Sequence, residues 1–95
     1  MPYFITVTYE TGPDRDDVFV VTKGGGRIAM KGAWWEEAQV FYGTAGAKQT
    51  RNIMQKANDG LVAAYPFCDK ANYTIRAYRR LKSGGFMDLG REVKP

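Results

Sequence analysis

The sequence predicts an α+β fold: an antiparallel sheet of four to six strands packed on one main helix at about residues 47–65, in the order β-β-β-(β)-α-β-β. Three observations carry this. Runs that alternate with a period of two, rich in β-branched and aromatic residues, occur early and late in the chain. One long stretch between them has apolar residues at spacings of three and four. Glycine clusters separate the extended runs, as tight hairpins need. The expected architecture is two layers, sheet on helix. A chain of 95 residues is expected to form a single domain, 1–95, with one modest core.

Tyr3–Glu10 sets Tyr3, Ile5, Val7 and Tyr9 against Phe4, Thr6, Thr8 and Glu10, which reads as a strand. Gly12, Pro13 and three aspartates follow as turn chemistry. Asp17–Lys23 is apolar on both faces over Val18–Val21, the pattern of an interior strand covered on two sides by the helix and by a second layer or a dimer mate. Gly24–Gly26 supplies a hairpin turn, and Arg27–Lys31 returns with Ile28 and Met30 on one face. Residues 33–42 fit two patterns: Trp34, Ala38 and Phe41 would line a helix, whereas Ala38, Val40 and Tyr42 would line a strand. The second half is read as a strand.

Thr44 is the expected N-cap of the main helix, whose apolar stripe is Thr50, Ile53, Met54, Ala57, Leu61 and Ala64. Pro66 stops it, and Gly60 weakens it or breaks it. Tyr73–Lys82 and Phe86–Val93 flank Ser83-Gly84-Gly85 as a last hairpin.

The composition excludes several functions. There is no histidine, one serine (Ser83) and one cysteine (Cys68), so a serine–histidine or cysteine–histidine nucleophile pair cannot be built. A single thiolate does not hold zinc, and no metal site or cofactor is expected. The chain is too short for a nucleotide-binding βαβ domain. Gly43–Thr50 (GTAGAKQT) resembles a phosphate-binding loop only in part, because its glycines stand three apart and Gln49 follows the lysine. Asp14, Asp16 and Asp17 lack the glycine and terminal glutamate of a calcium loop. Without a secretion signal, Asn72-Tyr73-Thr74 is a glycosylation sequon by spelling alone. No catalytic residue is assigned and the expectation is a non-enzyme. The lone cysteine, no apolar run of membrane length and no leader pattern point to the cytoplasm and no membrane.

Charge is uneven. Residues 1–46 carry a net −2 and residues 47–95 a net +6. A basic half suits polyanions, although solvated cations also keep a small protein soluble. Three features give candidate contacts. Arg76, Tyr78, Arg80 and Lys82 share one face of the penultimate strand with Thr74, a pattern suited to phosphates and stacked bases. Like charges two residues apart need an offset, from acids across the sheet or from an anionic partner. Arg79 falls on the apolar side, which a bulge near Arg79–Arg80 or a sheet edge would explain. Lys48, Arg51 and Lys56, with Asn52 and Gln55, fall on the helix side away from its apolar stripe. Of the adjacent Trp34 and Trp35, one is expected in the core and one partly exposed, as at binding hot spots.

The expected function is therefore a small binding protein whose basic surfaces engage nucleic acid or a nucleoprotein complex. The first alternative is a stoichiometric phage-type inhibitor, anti-CRISPR-like by class analogy alone, docking on an acidic surface of a host nucleoprotein machine. The second is a metal-independent ribonuclease toxin, which length and basicity fit but the early strands do not. Monomer and dimer are both open.

Overall fold

The computed structural model describes residues 1–95. Five strands form one antiparallel sheet: β1 (Tyr3–Tyr9), β2 (Phe19–Val21), β3 (Arg27–Ala29), β4 (Ala71–Arg80) and β5 (Phe86–Val93), in the spatial order β3-β2-β1-β4-β5. One helix, α1 (Thr44–Ala64), joins β3 to β4. The fold is α+β, as the alternation predicts. β1 is central because both of its faces are apolar enough to be covered. Phe4, Ile5 and Val7 are fully buried.

Alternation sends β1 side chains to two separate cores. Ile5 and Val7 pack with Val21, Ala71, Ile75 and Ala47 on the helix face. Phe4 packs with Val20, Ala38, Trp34 and Tyr78 on the opposite face. Val20 and Val21 are both buried, so β2 is covered on two sides there, whereas Val18, expected in the same covered run, lies before the strand and is exposed. The cover of β2 is α1 on one side and the segment around Trp34–Ala38 on the other. The expected two layers thus gain a third, partial one.

That segment corrects the strand expected in its second half. Trp34–Glu36 is a single 3-10 turn. The chain then crosses the end of the sheet, touching Thr22 through Ala38 and Tyr3 through Phe41 as isolated bridges. Tyr3 and Phe41 exchange both backbone bonds, at 2.7 and 2.9 Å. A segment that crosses strand ends meets each strand for one residue, so it cannot form a ladder. β2 and β3, three residues each, are also shorter than the alternation in Asp17–Lys23 and Arg27–Lys31 suggests.

α1 begins earlier than expected. Gly43, not Thr44, takes the N-cap position, with extended backbone and no side-chain cap. The helix runs unbroken through Gly60 and stops before Pro66. Its orientation divides the predicted stripe: Ala47 is its one fully buried residue and Met54 packs against the core, whereas Ile53 and Leu61 are exposed. The cause is at the β4 edge. β5 ends opposite Ile75, which leaves Ala71 and Tyr73 without a strand on that side. Helix side chains take its place. Arg51 Nε donates to the Tyr73 carbonyl at 2.8 Å. Gln55 accepts from the Tyr73 N–H and donates to the Ala71 carbonyl, both at 2.9 Å. Asn58 accepts from the Ala71 N–H at 2.9 Å and donates to the Asp69 carbonyl at 3.1 Å. Edge groups two residues apart recur every ~7 Å along a strand, and one turn of helix rises ~5.4 Å. Residues at helical spacing therefore match the edge.

β4 starts at Ala71, before the predicted Tyr73, and ends at Arg80 rather than Lys82. Its irregularity lies between Arg76 and Tyr78, not at Arg79–Arg80. Arg76 pairs with Glu92 and Tyr78 with Asp88, so β5 holds extra residues there. Gly90 sits in that bulge at φ +71, a conformation that favours glycine. Arg79 is exposed for a simpler reason. β1 ends at Tyr3, opposite Ala77, and the hairpin continues beyond it as two strands.

Candidate functional site

The structure divides the predicted basic face of β4 into two parts. The first is a groove of about 440 Å³ on the sheet face away from the helix. Thr6, Thr8 and Thr74 line it beside Arg76, Asp88 and Glu92. Arg76 Nε donates to Asp88 at 2.9 Å, a charge-assisted bond that raises the guanidinium pKa further. The offset that Arg76 needs thus comes from across the sheet. With Glu92 alongside, the groove carries a net negative charge and is not the expected phosphate-binding surface.

Tyr78 forms part of the groove's floor. It is buried at 2% exposure, which corrects its placement as an exposed stacking residue. Its ring meets Phe4 at 5.0 Å and Trp34 at 5.6 Å, both edge-on. Burial pushes its phenol up to about 12, and the Asp88 charge adds to this. Trp34 is also buried, with its ring 5.0 Å from Phe4. Trp35 is half-buried, packed on Trp34 and over Gly85, and is the tryptophan left in reach of a partner. The expected split of the pair, one core and one partly exposed, holds.

The second part is the turn end of the β4–β5 hairpin. Arg79, Arg80 and Lys82 are all exposed there. The Arg80 guanidinium lies 5.7 Å from the Phe86 ring. The chain has three ion pairs, Arg27–Asp14, Lys70–Asp59 and Arg76–Asp88, so none of these three cations has an acid within 4.0 Å. Arg79 belongs to this cluster although its place in the alternation pointed inward. The reason is the length of β4, which exceeds that of β1 by three residues at this end.

The helix set divides as well. Arg51 is not on a free face, since it serves the β4 edge. Lys56 is exposed and Lys48 half-buried, and neither meets an acid. Successive contacts of Arg51, Gln55 and Asn58 with Tyr73, Ala71 and Asp69 show that α1 runs antiparallel to β4. Its N-terminal end, with Lys48, therefore points toward the hairpin's turn end, and Lys56 lies farther away.

No three acidic or cysteine side chains stand close enough to hold a metal ion. No helix is long and apolar enough to cross a membrane. No protein-family model, no curated protein and no solved structure matches this chain.

Proposed function

We propose that this chain is a non-enzymatic binding protein that engages nucleic acid, or a complex that carries it, through the turn end of the β4–β5 hairpin. The observation that supports this reading is the cluster of Arg79, Arg80 and Lys82, three exposed cations within four residues and without an acid partner. Such a cluster suits phosphate oxygens, and each contact releases counterions. Lys48 adds charge from the helix end that points the same way. Arg76 and Tyr78 drop out as contacts, since one is ion-paired and the other is buried.

The test is fluorescence anisotropy with labelled single- and double-stranded DNA and RNA across a salt series. The expected result is affinity that falls steeply with salt, with a slope of about −0.7 to −0.9 per phosphate contact. Arg80→Glu with Lys82→Glu is expected to abolish binding with only a small loss of stability, because both residues are exposed and Arg80 gives up one contact, with the Phe86 ring. Absence of binding at low salt would overturn the reading.

A second reading is favoured by Trp35, half-buried beside the same hairpin. An aromatic next to unpaired arginines is the composition of a protein-docking hot spot. The partner would then be an acidic protein surface on a nucleic-acid-handling machine. Trp35→Ala should weaken that docking and leave binding to free nucleic acid nearly unchanged.

A further inference from the structure

We propose that the nucleic acid bound at the hairpin end is single-stranded, and that Tyr42 stacks on one of its unpaired bases. This inference rests on the reading above and adds an uncharged contact to its cations. Tyr42 is 71% exposed, the most open of the six tyrosines. The backbone sets it at the same end of the sheet as Arg79, Arg80 and Lys82. Tyr3, the first residue of β1, has Ala77 of β4 on one side and Phe41 on the other. The Phe41 segment is antiparallel to β1 and therefore runs, like β4, toward the hairpin's turn end. Tyr42 lies one residue farther on, where the chain bends into α1 and turns back. Arg80 stands three residues beyond Ala77. Strand spacings of ~4.8 Å across and ~3.3 Å along put the Cα atoms of Tyr42 and Arg80 roughly 10–15 Å apart. A short run of nucleotides spans that gap.

The ring is held out rather than left over. Val40 packs on the aromatic cluster and Phe41 on the helix-side core. Adjacent residues of an extended chain face opposite ways, so Tyr42 turns away from the core that Phe41 enters. Its backbone is fixed on both sides, by the two bonds between Phe41 and Tyr3 and by the helix that starts at Thr44. A ring on a fixed backbone loses little freedom when it binds. The neighbouring rings are already engaged. Trp34 and Tyr78 are buried, Trp35 lies against Gly85, and Phe86 meets Phe4. The cations bind phosphate in a duplex or a single strand alike. A base offers a free face to Tyr42 only when it is unpaired and unstacked, so the ring adds affinity for single strands alone.

Fluorescence anisotropy tests this with three labelled probes: a single strand, the same strand carrying abasic sites, and the matching duplex, each as DNA and as RNA. The wild-type chain is expected to bind the intact single strand about tenfold or more tighter than the abasic strand or the duplex. Tyr42→Ala should weaken binding to the intact strand by about the same factor and keep the salt slope, because no phosphate contact is lost. It should leave binding to the abasic strand and the duplex nearly unchanged. Tyr42→Phe keeps the ring and should bind as the wild type does. A duplex bound as tightly as the intact strand overturns the inference, and so does a Tyr42→Ala variant of unchanged affinity. The hairpin reading survives both of these results. Absence of binding to every probe at low salt overturns that reading and this inference with it.

Discussion

The two faces of the sheet are held by different chemistry. On one face a helix of 21 residues contributes a single fully buried side chain, Ala47, and anchors itself through Arg51, Gln55 and Asn58. On the other face a short segment inserts Trp34 into a nest of rings. Phe4 meets Trp34, Tyr78 and Phe86 edge-on at 5.0, 5.0 and 4.9 Å. The longest element is thus the more polar cover, and the least regular one carries the aromatic core. Length of secondary structure does not measure burial. A strand edge without a neighbour needs hydrogen bonds as much as a sheet face needs apolar cover.

Removing the centre of the ring cluster breaks this comparison most directly. Phe4→Ala is expected to cost about 3–5 kcal/mol in denaturant unfolding, because a fully buried ring in contact with three others leaves a cavity. The near-ultraviolet circular dichroism of Trp34 should weaken with it. Gln55→Ala tests the helix face and should cost about 1–3 kcal/mol, since it strips the Tyr73 N–H and the Ala71 carbonyl of partners. Amide exchange at Tyr73 should quicken while that at Ile5 on β1 changes little. Equal losses in the two variants, or a larger loss at Gln55, would mean that the edge bonds and not the rings dominate.

The smallest effect is a titration, and it sharpens the same contrast. Burial raises the phenol pKa of Tyr73 on the helix face and pushes that of Tyr78 on the ring face up to about 12. An unfolded tyrosine ionises near pH ~10. A folded pKa above the unfolded one means that the native state holds its proton longer. The contribution of Tyr78 to stability is therefore complete below pH ~10 and is lost as pH rises from there toward about 12. Ultraviolet titration of the six tyrosines should show Tyr78 ionising last, with alkaline unfolding setting in over the same range. Tyr78 ionising with the exposed tyrosines would show the ring cluster to be open to water.

The candidate contacts follow the same division. Arg80 and Lys82 stayed on the surface because they lie past the end of β1, where no layer covers the hairpin. Arg76 and Arg51 were equally basic in sequence, yet each met a partner that lies far along the chain. Arg76 found Asp88 across the hairpin, and Arg51 found the Tyr73 carbonyl. Tyr78 left the surface because the β4–β5 irregularity and the Trp34 insertion enclose it.

By itself the sequence determined what local patterns encode. Period-two alternation marked β1, β4 and β5, glycine clusters marked the hairpins, and Pro66 closed the helix. The missing histidines and the unequal halves of charge are also properties of composition alone. Tertiary structure decided which side of the helix turns inward. An amphipathic pattern specifies an apolar stripe but not whether a strand edge will compete for the helix, and here Arg51, Gln55 and Asn58 met that edge while Ile53 and Leu61 turned outward. It also decided the course of residues 33–42, whose backbone bonds go to Val21 and Tyr3 at the sheet's end. These outcomes depend on where distant strands stop, and strand ends are set by pairing rather than by local periodicity.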